Sequence, residues 1–196
     1  IDSVRYENGI ITCSVIGNTA GKSICGSGAV DAVSVMLKAG ILDDTGLILK
    51  EGHRFTEYIT ENGGVYSFTV PKTEVVITQE DIRNIQLAKS AVCAGMITLI
   101  DYAGLKITDI DELVLAGGFG GCINTKSAES IGLIPEGLAE KTVIAGNGAL
   151  KGAHMLLNPG RRKETDKIAA DSETVDLTSN TRFFDEYISG MNISVD

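Results

Sequence analysis

Nowhere in the 196 residues does an apolar run approach the roughly 20 residues that a membrane-spanning helix needs. Basic residues are also scarce. Seventeen Lys and Arg stand against 26 Asp and Glu, a formal net charge of −9. Nucleic acid and anionic membranes are held by clustered Lys and Arg, so the balance argues against both as partners. It leaves room for a nucleotide held by a few backbone amides. The opening residues, Ile1-Asp2-Ser3-Val4-Arg5, do not resemble a secretory leader. The four cysteines, Cys13, Cys25, Cys93 and Cys122, form no C-x-x-C pair, and free, buried thiols in a reducing, cytoplasmic setting are expected. Repeats, low-complexity segments and a G-x-G-x-x-G fingerprint are absent. The P-loop pattern is absent too: Gly21-Lys22-Ser23 imitates only its end, with Ile16 where its first glycine belongs.

What remains is the composition of a globular protein, 43% apolar and 22% charged, long enough for one large domain or two small lobes. Glycine is in excess: 23 of 196 residues, against an average of about 7%. The glycines gather where apolar runs end, at residues 26–28, 117–121 and 146–148. A strand that ends in glycines and feeds a helix is how α/β sheets bind ligands at their carboxyl edge. Without Cβ the ligand can touch backbone, and the amides of the helix start face an anion. Tight strand–helix packing would explain one such turn equally well; three of them favour a ligand cleft.

Between the turns, the pattern predicts an α/β chain. Val4, Tyr6, Ile11, Cys13 and Val15 flank Glu7-Asn8-Gly9 as a β-hairpin, and an opening strand suggests a piece of a longer protein. A helix follows Gly28 and stops at Gly40. Residues 41–77 read as an irregular insertion with strands at 65–70 and 74–77. Thr78-Gln79-Glu80-Asp81 reads as a capping box that opens a helix to about Ala103. Its apolar stripe is Ile82, Ile85, Val92, Met96 and Leu99, and Gln86, Lys89, Ser90 and Cys93 form a second, polar face. Strands at 112–116 and 141–145 precede helices at 126–131 and from Gly148 through Leu157. A helix at 162–170, a strand at 174–177 and a helix at 182–189 complete the prediction.

Leu115-Ala116-Gly117-Gly118-Phe119-Gly120 resembles the adenosine motif of the actin, hexokinase and heat-shock chaperone ATPase superfamily, and Gly146-Asn147-Gly148-Ala149-Leu150 resembles the segment that follows it there. Ile24-Cys25-Gly26-Ser27-Gly28-Ala29-Val30-Asp31-Ala32, together with Thr78-Gln79-Glu80-Asp81-Ile82-Arg83 and Gln86-Leu87-Ala88-Lys89, is similar to the C-terminal ATPase domain of reductive activators of corrinoid proteins. The resemblance runs in order through essentially the whole chain. It implies the second lobe of an actin-like, ribonuclease H-like ATPase: a mixed sheet flanked by helices with an inserted α+β subdomain. Residues 1–40 would start the lobe, 41–104 would be the insertion with its long helix, and 105–196 would be the remainder with a C-terminal extension.

Carried over by motif, Gly117, Gly118 and Phe119 would line base and ribose, while Gln86, Lys89 and Ser90 approach the nucleoside from the long helix. Gly26, Ser27 and Gly28 would lie near sugar and phosphates, and Asn147 completes the candidate set. The implied ligand is ATP or ADP with Mg²⁺, and the implied function is return of inactive cob(II)amide in methyltransferase systems to cob(I). The implied partners are a corrinoid protein and the rest of this polypeptide; a homodimer stays open. The superfamily's Asp-x-Gly-Thr phosphate hairpin and its second Asp/Gly phosphate turn are absent, so this chain alone should not hydrolyse ATP well. Nor does any cysteine show the C-x4-C-x2-C spacing of the activators' plant-type iron–sulfur domain, which would lie in the missing N-terminal part. A small-molecule kinase of the same superfamily, and a docking module with a degenerate nucleotide cleft, remain alternatives.

Other residues carry ordinary expectations. His53 and His154 read as packed or surface side chains, Asp43-Asp44 as a solvated turn, and Cys25 as packing. Asp31 is open between a helix-dipole contact and a nucleotide-bound cation. Arg161-Arg162-Lys163 reads as a solvated helix start and Phe183-Phe184 as packing of the terminal helix. No catalytic or metal-ligating residue is assigned.

Overall fold

Alternating apolar side chains build the first element, and the computed structural model, which describes residues 1–118 and 121–193, shows it as the expected hairpin. β1 (Ser3–Glu7) and β2 (Ile10–Ser14) pair antiparallel, Val4 opposite Cys13 and Tyr6 opposite Ile11. Asn8 and Gly9 carry them round at φ 51° and 81°, the left-handed pair of a hairpin turn that matches strand twist. Val4 and Ile11 are buried, and β1 packs on α1 (Gly26–Lys38). α1 turns Val30, Val33 and Met36 into the core, and Gly40 ends it at φ 71°, the left-handed position after a helix.

The two strands named for the 41–77 stretch form, the second starting at Val76 rather than Glu74, and one more precedes them. β3 (Ile59–Asn62), β4 (Val65–Thr69) and β5 (Val76–Thr78) form an antiparallel sheet in that order. Phe68 and Ile77 bury its inner face in the same core as α1 and the hairpin. α2 (Gln79–Tyr102) then begins at the expected capping box: the Thr78 hydroxyl accepts from the Asp81 amide at 3.1 Å, and the Asp81 carboxylate accepts from the Thr78 amide at 2.9 Å.

α2 departs from expectation in which face it buries. Ile82 is fully buried, but Val92 and Leu99 of the expected apolar stripe are 46% and 48% exposed. Gln86, Lys89 and Ser90, read as the polar face, are buried instead. The reason lies at the far end of the chain. β6 (Leu113–Ala116), α3 (Thr125–Ser130), β7 (Thr142–Gly146), α4 (Gly148–Met155), α5 (Arg162–Asp171) and α6 (Thr181–Ser189) follow, and α6 lies along α2. The predicted strand at 174–177 does not form. That segment lies beside a helix, where there is no strand edge to pair with: the Leu177 side chain sits over Gly95, and Tyr102 donates its hydroxyl to Glu173.

β6 and β7 pair parallel, with α3 in the crossover between them. Ile131, Ile134 and Leu138 from that crossover complete the buried core, which Ile193 joins from the C-terminal side. By contrast Val114, Val143, Ile144, Leu150 and Leu157 are exposed, and α4 and α5 bury no residue. No helix among the described residues is long and apolar enough to cross a membrane.

Candidate functional site: glycine turns and a buried polar helix face

The three glycine turns do different jobs. At the first, the structure favours packing. A Cβ on Gly28 would lie 2.6 Å from the Ile1 carbonyl oxygen, and the Ser27 hydroxyl donates to the Asp2 carbonyl at 3.0 Å. Both residues therefore seat α1 on the start of β1, while Gly26 stays exposed. The second and third turns meet. Ala116 pairs with Gly146 at the carboxyl end of β6 and β7, and the Gly117 amide donates to the Gly146 carbonyl at 2.7 Å. Gly117 takes φ 102° and Gly146 φ 68°, and a Cβ at Gly117, Gly118 or Gly146 would meet nothing within 4 Å. Beside them the Asn147 carboxamide caps α4, accepting from the Leu150 amide at 2.9 Å. The result is a carboxyl edge of two parallel strands left open at its left-handed glycines, beside the N-terminus of α4. Phe119 and Gly120 lie outside the described residues.

Gln86, Lys89 and Ser90 are gathered as predicted, but their hydrogen-bond partners are backbone. The Gln86 amide donates to the carbonyls of Thr45 at 2.8 Å and Met191 at 2.9 Å. Lys89 donates to the carbonyls of Gly190 and Asn192, and Ser90 to that of Tyr187. Beside Lys89 a cavity of about 270 Å³ remains, walled by Cys93, Pro135, Glu136, Glu186 and Gly190; neither Gly117 nor Gly118 lines it. The carbonyl-bearing segment was invisible to motif reading, because main-chain acceptors have no sequence identity. Gly190 was the one available signal. A Cβ there would lie 2.9 Å from the Glu186 carbonyl oxygen and 3.0 Å from the Ser90 hydroxyl, so the end of α6 sits this close to Ser90 only without a side chain.

Burial governs the electrostatics of this face. It pushes the Lys89 ammonium down to about 8, with the neighbouring Cys93 opposing the shift. It also pushes the Cys93 thiol up; Lys89 opposes this and Glu186 reinforces it. An unfolded lysine titrates near about 10.4. Between pH 8 and that value the unfolded chain holds the extra proton, so stability rises with pH across the window. Below pH 8 both states carry the ammonium, and its burial is a constant cost. The stability of the protein relative to Lys89→Met is therefore expected to rise by about 2 kcal/mol from pH 7.5 to 10, read from urea midpoints. A difference that stays flat would place the ammonium in solvent.

The remaining candidates are structural. His53 takes the Leu49 carbonyl and the Phe55 amide as partners at 2.9 and 3.1 Å. Asp43 closes its own turn onto Thr45 and Leu47. Cys25, expected to pack, is instead exposed at the N-terminal cap position of α1, where the Ser27 hydroxyl lowers its thiol pKa, and Cys122 is exposed as well. Asp31 is buried and accepts from the Val4 amide at 3.3 Å, so its carboxylate faces β1. Phe183 packs in a stack with Tyr187, while Phe184 is 47% exposed.

Comparison with known proteins places this arrangement. The family described as "C-terminal domain of RACo the ASKHA domain" matches residues 1–196. A solved "Reductive activator for corrinoid,iron-sulfur protein" superposes with a TM-score of 0.87 at 32% identity, covering 98% of this chain and 32% of that one. Among curated proteins, "Corrinoid activation enzyme RamQ" of Eubacterium limosum is 34% identical over 96% of this chain and 34% of its own length. The "[Co(II) methylated amine-specific corrinoid protein] reductase" of Methanosarcina barkeri is 27% identical over 68% of this chain and 22% of its own. The chain thus spans about a third or less of the length of the relatives it matches. With a mixed α/β fold and glycine turns that meet at one sheet edge, the chain belongs to the family of the C-terminal ASKHA domain of RACo.

Proposed function

We propose that this chain is the nucleotide-binding C-terminal lobe of an ATP-dependent reductive activator, one that returns inactive cob(II)amide in corrinoid proteins of methyltransferase systems to cob(I). The observation that carries the reading is the open edge at Gly117, Gly118 and Asn147 where β6 and β7 end, within a chain matched end to end by the activators' domain. In this reading Gly117, Gly118 and Phe119 take the base and ribose of ATP or ADP with Mg²⁺, and Gln86, Lys89 and Ser90 reach the nucleoside from α2. Gly26, Ser27 and Gly28 would lie near sugar and phosphates at the start of α1, with Gly26 the exposed member and Ser27 and Gly28 seated against β1.

Residues 1–40 and 105–196 are read as an actin-like lobe and 41–104 as its insertion. The exposed Val114, Val143 and Ile144 are consistent with further strands supplied by the rest of the polypeptide. That remainder would also bring the phosphate turns and the iron–sulfur cluster, and the whole would work in the cytoplasm. Reduction of cob(II) to cob(I) takes one electron and runs uphill, so the cluster would deliver the electron and ATP hydrolysis would drive the change in the corrinoid partner. The part played by this lobe is to hold the nucleoside and move as a body.

A docking module with a degenerate cleft is the second reading, favoured by the backbone partners already held by Gln86, Lys89 and Ser90. The test is cob(I) formation, followed by absorbance, when the reduced full-length protein meets a cob(II) corrinoid protein. Formation that requires Mg·ATP is expected. An equal rate without nucleotide would favour the docking module, and ADP release driven by an added sugar or acid would favour a kinase.

A further inference from the structure

Residues 173–193 run alongside α2 over most of its length, in the opposite direction. Glu173 takes the Tyr102 hydroxyl at the C-terminal end of α2, and Leu177 covers Gly95. The carbonyls of Tyr187, Gly190 and Met191 then take Ser90, Lys89 and Gln86 in turn, and the Ile193 amide donates to the Asp44 carbonyl at 2.9 Å. We infer that this segment is a displaceable strap: it occupies the face of α2 assigned to the nucleoside, so nucleotide entry and strap release are one event. The inference rests on the assignment of Gln86, Lys89 and Ser90 made above.

Three observations support it. First, the strap satisfies the donors a nucleoside would need. Lys89 is 3% exposed and Ser90 0%, so no ligand reaches them while the strap is seated. Second, it is held through main-chain carbonyls and few buried side chains. No residue of α6 is buried, and within 173–193 only Ile193 is; a segment with so little buried side chain belongs to the low-stability end of a fold. Third, the cavity of about 270 Å³ beside Lys89 already separates part of α6 from the 132–136 loop, giving the last turn of α6 somewhere to yield.

The experiment uses the full-length protein, Mg·ADP as the probe, and two readouts: calorimetric affinity, and hydrogen exchange of the amides in 181–193. In the unmodified protein, ADP is expected to speed exchange across 181–193 while leaving α1 protected. Ile193→Ala, which loosens the terminal anchor, is expected to tighten ADP binding by about five- to tenfold, since apparent affinity scales with the fraction of open protein. Leu177→Ala should act in the same direction from the other end of the strap. ADP binding with unchanged or slower exchange in 181–193 overturns the strap, and so do variants that bind no tighter; either result leaves the nucleotide site standing. If neither the unmodified protein nor Ile193→Ala binds ADP, the nucleotide assignment fails and the strap inference fails with it.

Discussion

Gly118→Arg is expected to weaken Mg·ADP binding by the full-length protein by about a hundredfold or more while leaving its melting temperature unchanged. The two effects separate because of the space around this residue. A Cβ at Gly118 meets nothing within 4 Å, so a long side chain costs the fold little, yet it fills the open space at the strand edge that the nucleoside would take. A hundredfold loss corresponds to about 2.8 kcal/mol, within what exclusion from a close-fitting site delivers. Gly117 is a poorer probe, since its φ of 102° would strain any side chain and mix stability with binding. Because a guanidinium could attract phosphate, Gly118→Leu belongs in the same titration. Equal loss in both variants identifies bulk as the cause, and wild-type affinity in both would remove the nucleotide from this edge.

The largest effect on stability is expected at Gly28. Its Cβ would sit 2.6 Å from the Ile1 carbonyl oxygen and 3.0 Å from the Ile24 side chain. The nearer obstacle is backbone, so the clash cannot be relieved by turning a rotamer. Gly28→Val should therefore cost about 3 kcal/mol or more, a fall in melting temperature of roughly 6–12 °C for a chain of this size. Gly152→Ala serves as the control of opposite sign. Gly152 lies within α4 with nothing within 4 Å of a Cβ, so alanine should stabilise by about 0.5–1 kcal/mol through helix propensity. Thermal scans of the two variants check both signs at once. Equal behaviour would mean that α1 does not press on β1 as described.

Gly28 and Gly118 show how far local pattern reaches. The turn at 26–28 and the turn at 117–118 look alike as strings, yet one is closed by the Ile1 carbonyl and the other opens to solvent. What separates them is the return of β1 to the start of α1, a tertiary fact no window of residues contains. The capping box at Thr78 was legible because all its atoms lie within four residues. The hairpin was legible because Asn8-Gly9 and the alternation agree. The burial of α2 was not. Gln86, Lys89 and Ser90 read as a solvent-facing or ligand-facing stripe, since polar side chains are buried only when something satisfies them. That something is a set of carbonyls about a hundred residues away. The predicted strand at 174–177 failed for a related reason. Its alternation is real, but Leu177 faces a helix, and among the described residues no strand pairs with it.

Recognition of α2 through main-chain oxygens also sets how this C-terminal segment can drift over evolutionary time. Lys89 and Ser90 read only where the carbonyls point, not which side chains carry them. The residue count of the segment is not free in the same way. One residue added or removed inside α6 turns the downstream carbonyls by roughly 100° about the helix axis, away from the donors they now meet. Related chains would then keep the spacing from Leu177 to Ile193 and the small residue at Gly190, while the letters between them scatter.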